Sequence, residues 1–203
     1  MPVVLQASEE NPLYVAYVIG VSTNTDLKEI MYLEDQSIAQ DHTYIAKIQV
    51  SRDFISNFHL AGAELDLRWF LAVAHREEND YATDQTEFVG GVELNWDTHL
   101  PWTEIPFTLQ LAEGISAMSL GRSTHNEKQD LAKRYEINDD RDPGVLNYIG
   151  FSALLGLKSI EALSNCKFGY HLHHRSGVYA KVKLFGYVHG GSNEHSLMLE
   201  CAY

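Results

Sequence analysis

Polar and apolar residues alternate with a period of two along most of this chain. In residues 63–75, for example, Leu67 and Trp69 share one parity, while Asp66 and Arg68 take the other. Successive side chains of a strand point to opposite faces, so this alternation predicts β-strands. The predicted strands are Leu13–Val21, 43–53, 63–75, 86–96, 106–118, 145–157, 168–179 and 193–203.

Long and short connections alternate between these strands. The longer, more polar ones are 22–42, 76–85, 119–144 and 178–192, and the shorter ones are 54–62, 97–105 and 158–165. An even number of strands with long loops at one end is typical of an antiparallel up-and-down transmembrane β-barrel, whose termini lie on the short-turn, periplasmic side. We therefore predict an all-β, eight-stranded barrel.

The chain shows no internal repeat or domain linker. We expect one barrel domain over residues 1–203, with 1–12 as an N-terminal tail and 119–144 as a long surface loop. An apolar patch at 30–33 could extend a strand.

Alternation alone does not tell which face is inside. A soluble barrel buries its apolar face, whereas a membrane barrel turns that face outward. Here the polar face carries charges of both signs in mid-strand, such as Lys47, Arg68 and Glu93, which can pair inside a narrow lumen. Tryptophans lie on strands or near their ends, as interfacial aromatic residues do. These features favour the membrane orientation.

Composition excludes several functions. The formal net charge of −13 and the lack of a basic run argue against a nucleic-acid partner. The chain contains no run of about 18 apolar residues, so the sequence predicts no membrane-spanning helix. The opening residues 1–3 lack a secretory signal pattern, which indicates either a cytosolic protein or a mature form whose signal was removed or replaced.

Candidate chemistry lies on the seventh predicted strand. His174 and Ser176 share a parity with Phe168, Tyr170 and Leu172. Residues two apart on a strand face the same side, so an imidazole and a hydroxyl come within reach of each other. Either they end a strand at a polar rim, or they form a site for an apolar substrate.

Three other features have a structural and a functional interpretation. Cys166 and Cys201 fit no metal spacing, and we expect two small apolar side chains, with a disulfide as the alternative. His171 and His173 could bind a metal, but a polar lumen cluster with Arg175 is the favoured interpretation.

The third feature is the segment 113–114. We predict a bulge or bend at Gly114, with Glu113 as a carboxylate inside the lumen.

Motifs over roughly residues 43–203 resemble a known family. They are the run 172–178, the run 189–193 and an alternating strand that ends in an aromatic residue, with further marks at 93–96, 101–102, 112–116 and 146–148. Together they are similar to the lipid A 3-O-deacylase-like outer-membrane proteins, often labelled acyloxyacyl hydrolases.

This resemblance implies an eight-stranded barrel that removes an ester-linked acyl chain from lipid A. Its Ser-His-acid group would lie on the outer surface of the barrel. Carried over by position, the nucleophile is Ser176 and its base is His174. The family's acid falls on Asn193, which can orient an imidazole without neutralising its charge; Glu194, next to it, is the alternative.

The oxyanion site also departs from the family pattern. The family's active members tend to have Asn directly after the serine, and Gly177 stands there. A backbone N–H of Gly177 or Val178 could donate to the oxyanion instead.

The sequence therefore predicts a serine esterase of the bacterial outer membrane that acts on lipid A, lipopolysaccharide or another membrane lipid, by a mechanism that requires no cofactor. Two alternatives stay open. One is a catalytically silent structural or lipid-contacting barrel, and the other is a soluble, possibly engineered, ligand-binding barrel.

Overall fold

The computed structural model is a closed, antiparallel barrel made almost entirely of sheet. It describes residues 11–23, 25, 27–32, 43–80, 82–122, 124, 127, 144–177 and 191–203. The eight strands are β1 Leu13–Thr23, β2 Tyr44–Leu60, β3 Ala63–Glu77, β4 Gln85–His99, β5 Pro106–Met118, β6 Val145–Gly156, β7 Cys166–Ser176 and β8 Gly191–Ala202. The predicted fold class is therefore confirmed.

Each strand pairs with its neighbour in the sequence, and β1 closes the barrel against β8. One end of the barrel holds the β2–β3 turn, the β4–β5 and β6–β7 connections, the start of β1 at Leu13 and the C-terminal residue Tyr203. Leu13 and Tyr203 exchange backbone hydrogen bonds of 3.1 and 2.9 Å there. The described connections between the other strand pairs start at the opposite end, which is called the loop end below.

Two predicted segments differ in the structure. Residues 54–60 continue β2 rather than forming a connection, because the β2–β3 ladder resumes after register shifts between Asp53 and Phe58. The turn itself needs only Ala61 and Gly62, both at positive φ, as a two-residue hairpin turn requires. The described part of the apolar patch, residues 30–32, does not extend a strand, because a short helix, α1, spans Leu27–Met31; residue 33 lies outside the described residues. No helix among the described residues is long and apolar enough to cross a membrane.

The apolar face of the barrel is outside, and charged side chains fill the lumen. On β3, Arg68 is fully buried, whereas the side chain of Leu71 is 58 % exposed. Other large apolar residues exposed on the outer wall are Tyr17, Ile19, Ile48, Val73, Phe88, Leu111 and Leu197. This arrangement is the one typical of membrane barrels. A soluble barrel that binds an apolar ligand would need an apolar lumen, and the lumen of this barrel is polar.

Ion pairs cross the lumen from wall to wall. Arg68 lies 2.7 Å from Asp53, 3.4 Å from Glu200 and 3.7 Å from Glu93. Arg76 lies 2.6 Å from both Glu87 and Glu194. The lumen contents are therefore a packed polar core, in which the buried guanidinium groups of Arg68 and Arg76 have carboxylates beside them.

Aromatic rings fill the same lumen where two glycines face it. Gly91 pairs with Gly114, and a side chain at Gly91 would lie 2.1 Å from a backbone oxygen. Phe70 and Tyr148 flank this pair on the neighbouring strands, with ring centroids 5.7 Å apart. The glycines thus allow the backbones of β4 and β5 to approach closely between the two rings.

The prediction for Glu113 was wrong. The β4–β5 register runs through Glu113 and Gly114 without a shift, so the expected bulge is absent and Glu113 keeps the parity of Leu111. Its side chain is exposed on the outer wall.

The expectation for the cysteines was also wrong. Cys166 and Cys201 are opposite each other in the β7–β8 ladder and form a disulfide with a Cα–Cα distance of 4.0 Å. It joins the two strands that carry most of the candidate site, at the end opposite to the loop end.

Candidate active site

A histidine and an asparagine are joined on the outer wall near the loop end. His174 of β7 lies directly opposite Asn193 of β8, so their side chains share a face. The His174 Nδ1 atom is 2.7 Å from the Asn193 Oδ1 atom. Both side chains are 8 % exposed. The structure thus brings together two of the residues that the sequence singled out.

A second hydrogen bond determines which way the Asn193 amide points. Its Nδ2 atom donates to the backbone carbonyl of Thr25 over 2.8 Å, directly after β1. Thr25 is itself held by Thr23, whose hydroxyl accepts from the Thr25 N–H over 3.1 Å. With Nδ2 engaged, Oδ1 accepts, so the Nδ1 atom of His174 must be the donor.

This network leaves the other imidazole nitrogen as a base. When Nδ1 of a neutral imidazole carries the proton, Nε2 carries the lone pair. An asparagine can hold a catalytic histidine in this orientation without a negative charge, as in Cys-His-Asn proteases. The His174–Asn193 pair therefore has the tautomer that a general base needs.

Ser176 lies on the same strand and the same face, two residues further toward the loop end. Its Cα atom is roughly 6.6 Å from that of His174, from a rise of about 3.3 Å per residue. Within the described residues, no hydrogen bond joins the Ser176 hydroxyl to His174. Such bonds are often formed only once substrate is bound.

Glu194, the alternative to Asn193, points into the lumen. Its carboxylate is 1 % exposed and lies 2.6 Å from the Arg76 guanidinium. In the β7–β8 ladder it is opposite His173, not His174. Of the two candidates, the structure brings only Asn193 to the imidazole.

The proposed backbone donors lie just beyond β7. Gly177 directly follows the strand, and Val178 is outside the described residues. The lumen histidines are where the sequence predicted them. His171 is 2.9 Å from Lys47 and His173 is 3.0 Å from Glu87. No group of His, Cys, Asp and Glu residues in the described part of the chain could hold a metal ion.

An apolar groove of about 380 Å³ runs along the outer wall across β1, β7 and β8 and touches the start of β2. Its lining includes Ile19, Val21, Tyr44, Tyr170, His195 and Leu197. His195 is two residues beyond Asn193 on the same face, so the groove begins beside the candidate site. The Tyr170 hydroxyl lies 2.7 Å from the His195 Nδ1 atom, which places one polar pair in the groove.

Sequence reasoning missed this groove and the position of Asn147. Asn147 of β6 lies directly opposite Ser176. A signal was present, because Asn147 shares the outward parity of Ile149 and Phe151 and so places a polar side chain on an apolar face.

A solved structure has a fold similar to that of this chain. The crystal structure of the outer membrane enzyme PagL superposes with a TM-score of 0.60 at 12 % sequence identity, over 93 % of this chain and 98 % of that one. No family model matches the sequence, and no curated protein matches it significantly. At this identity the likeness establishes the fold alone.

Proposed function

We propose that this chain is a serine esterase of the bacterial outer membrane that removes an ester-linked acyl chain from lipid A or a related lipid. The apolar outer wall and polar lumen support a membrane location, as does the fold shared with an outer membrane enzyme. The Cys166–Cys201 disulfide fits a chain that passes through an oxidising compartment.

One observation carries the proposal. The His174–Asn193 pair, with its 2.7 Å hydrogen bond, lies on the outer wall beside Ser176. An imidazole oriented next to a serine is the arrangement that activates a hydroxyl for nucleophilic attack. The ester of a membrane lipid reaches a barrel only from outside, so the same group in the lumen would meet no such substrate.

In the proposed reaction, Ser176 Oγ attacks the ester carbonyl while His174 Nε2 accepts the hydroxyl proton. The intermediate collapses with loss of the lipid alcohol, which takes that proton, and the acyl chain stays on Ser176. Water then attacks the acyl-enzyme with His174 again as base. The fatty acid leaves and the serine is restored, so the residues complete the cycle without a cofactor.

The groove supports a lipid as substrate. Its lining of Ile19, Val21 and Leu197 is apolar, and it begins two residues from Asn193. An acyl chain in this groove would bring its ester to the level of Ser176 while the headgroup stays at the loop end. This arrangement would favour lipid A or lipopolysaccharide over water-soluble esters.

Mass spectrometry of lipid A tests the proposal. Cells that produce the wild-type chain should lose one ester-linked acyl chain from lipid A, and Ser176→Ala should abolish that loss. Ser164→Ala, at an exposed position of the short β6–β7 connection, is the matched control and should behave as wild type. Identical lipid A from the wild-type and Ser176→Ala strains would refute the esterase.

A catalytically silent, lipid-contacting barrel is the second candidate. It is favoured by the lack of a hydrogen bond between Ser176 and His174 in the described residues. It predicts that purified barrel binds lipid A in the groove, and that Leu197→Arg weakens this binding while acylation stays unchanged in every strain.

A further inference from the structure

The proposed esterase needs a hydrogen-bond donor for the negative charge that develops on the carbonyl oxygen. Such donors are often the largest single contribution to acyl transfer. The residue after the serine is Gly177, which offers no side-chain donor. The following step rests on the proposed function and asks which side chain takes that place.

Asn147 is the polar side chain that lies directly across the ladder from Ser176. The β6–β7 register pairs the two residues, so their Cβ atoms are about 4.5–5.5 Å apart on one face. The neighbours of Asn147 in β6, Leu146 and Tyr148, point into the lumen and are buried. Because strand side chains alternate, Asn147 faces outward beside the serine, where it is half-buried.

The side-chain amide of Asn147 is available to donate a hydrogen bond to a bound substrate. Within the described residues, no hydrogen bond engages its side chain. On the same face, its partner in β5 is Ile115, which offers no polar group. A side-chain amide supplies two N–H donors, and Asn is among the side chains that serve as oxyanion donors.

The two sides of Ser176 are arranged differently. On the β8 side, the residue opposite Ser176 is Gly191. Any other residue there would place a Cβ atom 3.1 Å from the Ser176 Cβ. The orienting residue of the base, Asn193, is also in β8. The β8 side thus holds the proton-accepting group and leaves space beside the hydroxyl, while the β6 side presents the amide.

We propose that Asn147 is a catalytic residue whose Nδ2 donates a hydrogen bond to the oxyanion. When Ser176 Oγ bonds to the carbonyl carbon, the π pair moves onto the carbonyl oxygen and the hydroxyl proton goes to His174. Asn147 binds that oxygen on the β6 side, together with the Gly177 N–H. When the intermediate collapses, the lipid alcohol leaves, the carbonyl forms again, and the hydrogen bond from Asn147 to the oxyanion is lost.

The test compares Asn147→Ala with Asn147→Asp, using purified barrel in detergent micelles and purified lipid A. Loss of one oxyanion donor should lower kcat by about 10²- to 10³-fold, with KM within about twofold of wild type. The Asp variant has nearly the same volume but no donor and a negative charge, so its kcat should fall further than that of Ala.

Ile115→Ala is the control for loss of packing beside Asn147, and its kcat should stay within about threefold of wild type, as expected for a group that does not contact the transition state. Heat-modifiable gel migration reports whether each variant is folded. A wild-type kcat in Asn147→Asp, or an effect on KM alone, would overturn the assignment. Activity that persists in Ser176→Ala would overturn the proposed function instead.

Discussion

Asn193 and Glu194 are adjacent in the sequence, but their side chains lie on opposite sides of the barrel wall. Asn193 orients His174 on the outer face, and Glu194 pairs with Arg76 in the lumen. Side chains of a strand alternate between its two faces, so adjacent residues point to opposite sides of the wall. The two residues should therefore differ in what their substitution changes.

Asn193→Ala should lower kcat by about 10²- to 10⁴-fold while the barrel stays folded, because the His174 ring loses its orienting partner. Glu194→Gln should leave kcat within a few-fold of wild type but lower the stability, since Arg76 loses one carboxylate. Lipid A turnover and urea unfolding in detergent measure both effects. The opposite assignment, with activity lost in Glu194→Gln alone, would make Glu194 the acid.

At this scale the sequence predicts which residues share a face, but not what lies opposite them. The parity of β7 is sufficient to put His174 and Ser176 outside. It cannot show that Asn147 faces Ser176, because that pairing depends on the β6–β7 register. Glu113 was misplaced for a related reason: a glycine suggested a bulge, and a bulge would have reversed its face.

The paired strands β7 and β8 hold most of the candidate site. His174 and Ser176 lie near one end of their ladder, and Cys166 and Cys201 are covalently joined at the other. The disulfide closes a segment with a sequence separation of 35, which includes the whole connection between the two strands. It therefore limits the freedom of the unfolded chain over the region that contains the candidate site.

Removal of this disulfide should destabilise the barrel without changing its chemistry. For a loop of this length, Cys166→Ser with Cys201→Ser should lower the free energy of unfolding by about 2–4 kcal/mol. Denaturant unfolding in detergent provides the measurement, and reduced wild type should match the double variant. An unchanged midpoint in both samples would contradict the prediction, as would loss of kcat in barrel that is still folded.

The strands were predictable because each one alternates over many residues, whereas the connections were not. β5 has the bounds expected from the sequence, but β2 runs on to Leu60. There the pairing with β3 continues past register shifts that no local pattern reveals. The cysteines could not be paired from the sequence for the same reason, since opposition in a ladder is a property of two strands.

Over the described barrel, a network of buried charges lies in the lumen, and large apolar side chains face outward. Arg68 of β3 contacts Asp53 of β2, Glu93 of β4 and Glu200 of β8, so one guanidinium links four strands around the lumen. Buried carboxylates without a partner are costly, which makes this residue important for closure. The sequence predicted mixed charges on this face but could not show which of them meet.

Arg68→Leu should lower the free energy of unfolding by about 3–5 kcal/mol, because three buried carboxylates lose their shared cation. Arg52→Leu is the matched control: Arg52 is exposed, and its change should stay within about 0.5 kcal/mol. Denaturant titration of both variants in one lipid or detergent makes the comparison. Equal effects at the two positions would mean that the lumen network does not stabilise the barrel.

The orientation of the wall can be tested on a single strand. Leu71 and His75 both face outward from β3, but Leu71 is in the middle of the strand and His75 is near the loop end. If the wall spans a bilayer, Leu71→Arg should cost about 2–4 kcal/mol and His75→Arg about 0–1 kcal/mol, because the penalty falls from the midplane to the interface. Unfolding from lipid vesicles measures this difference. In a barrel whose outer wall faces water, the two substitutions should cost the same, and a detergent-free monomer with that behaviour would refute the membrane orientation.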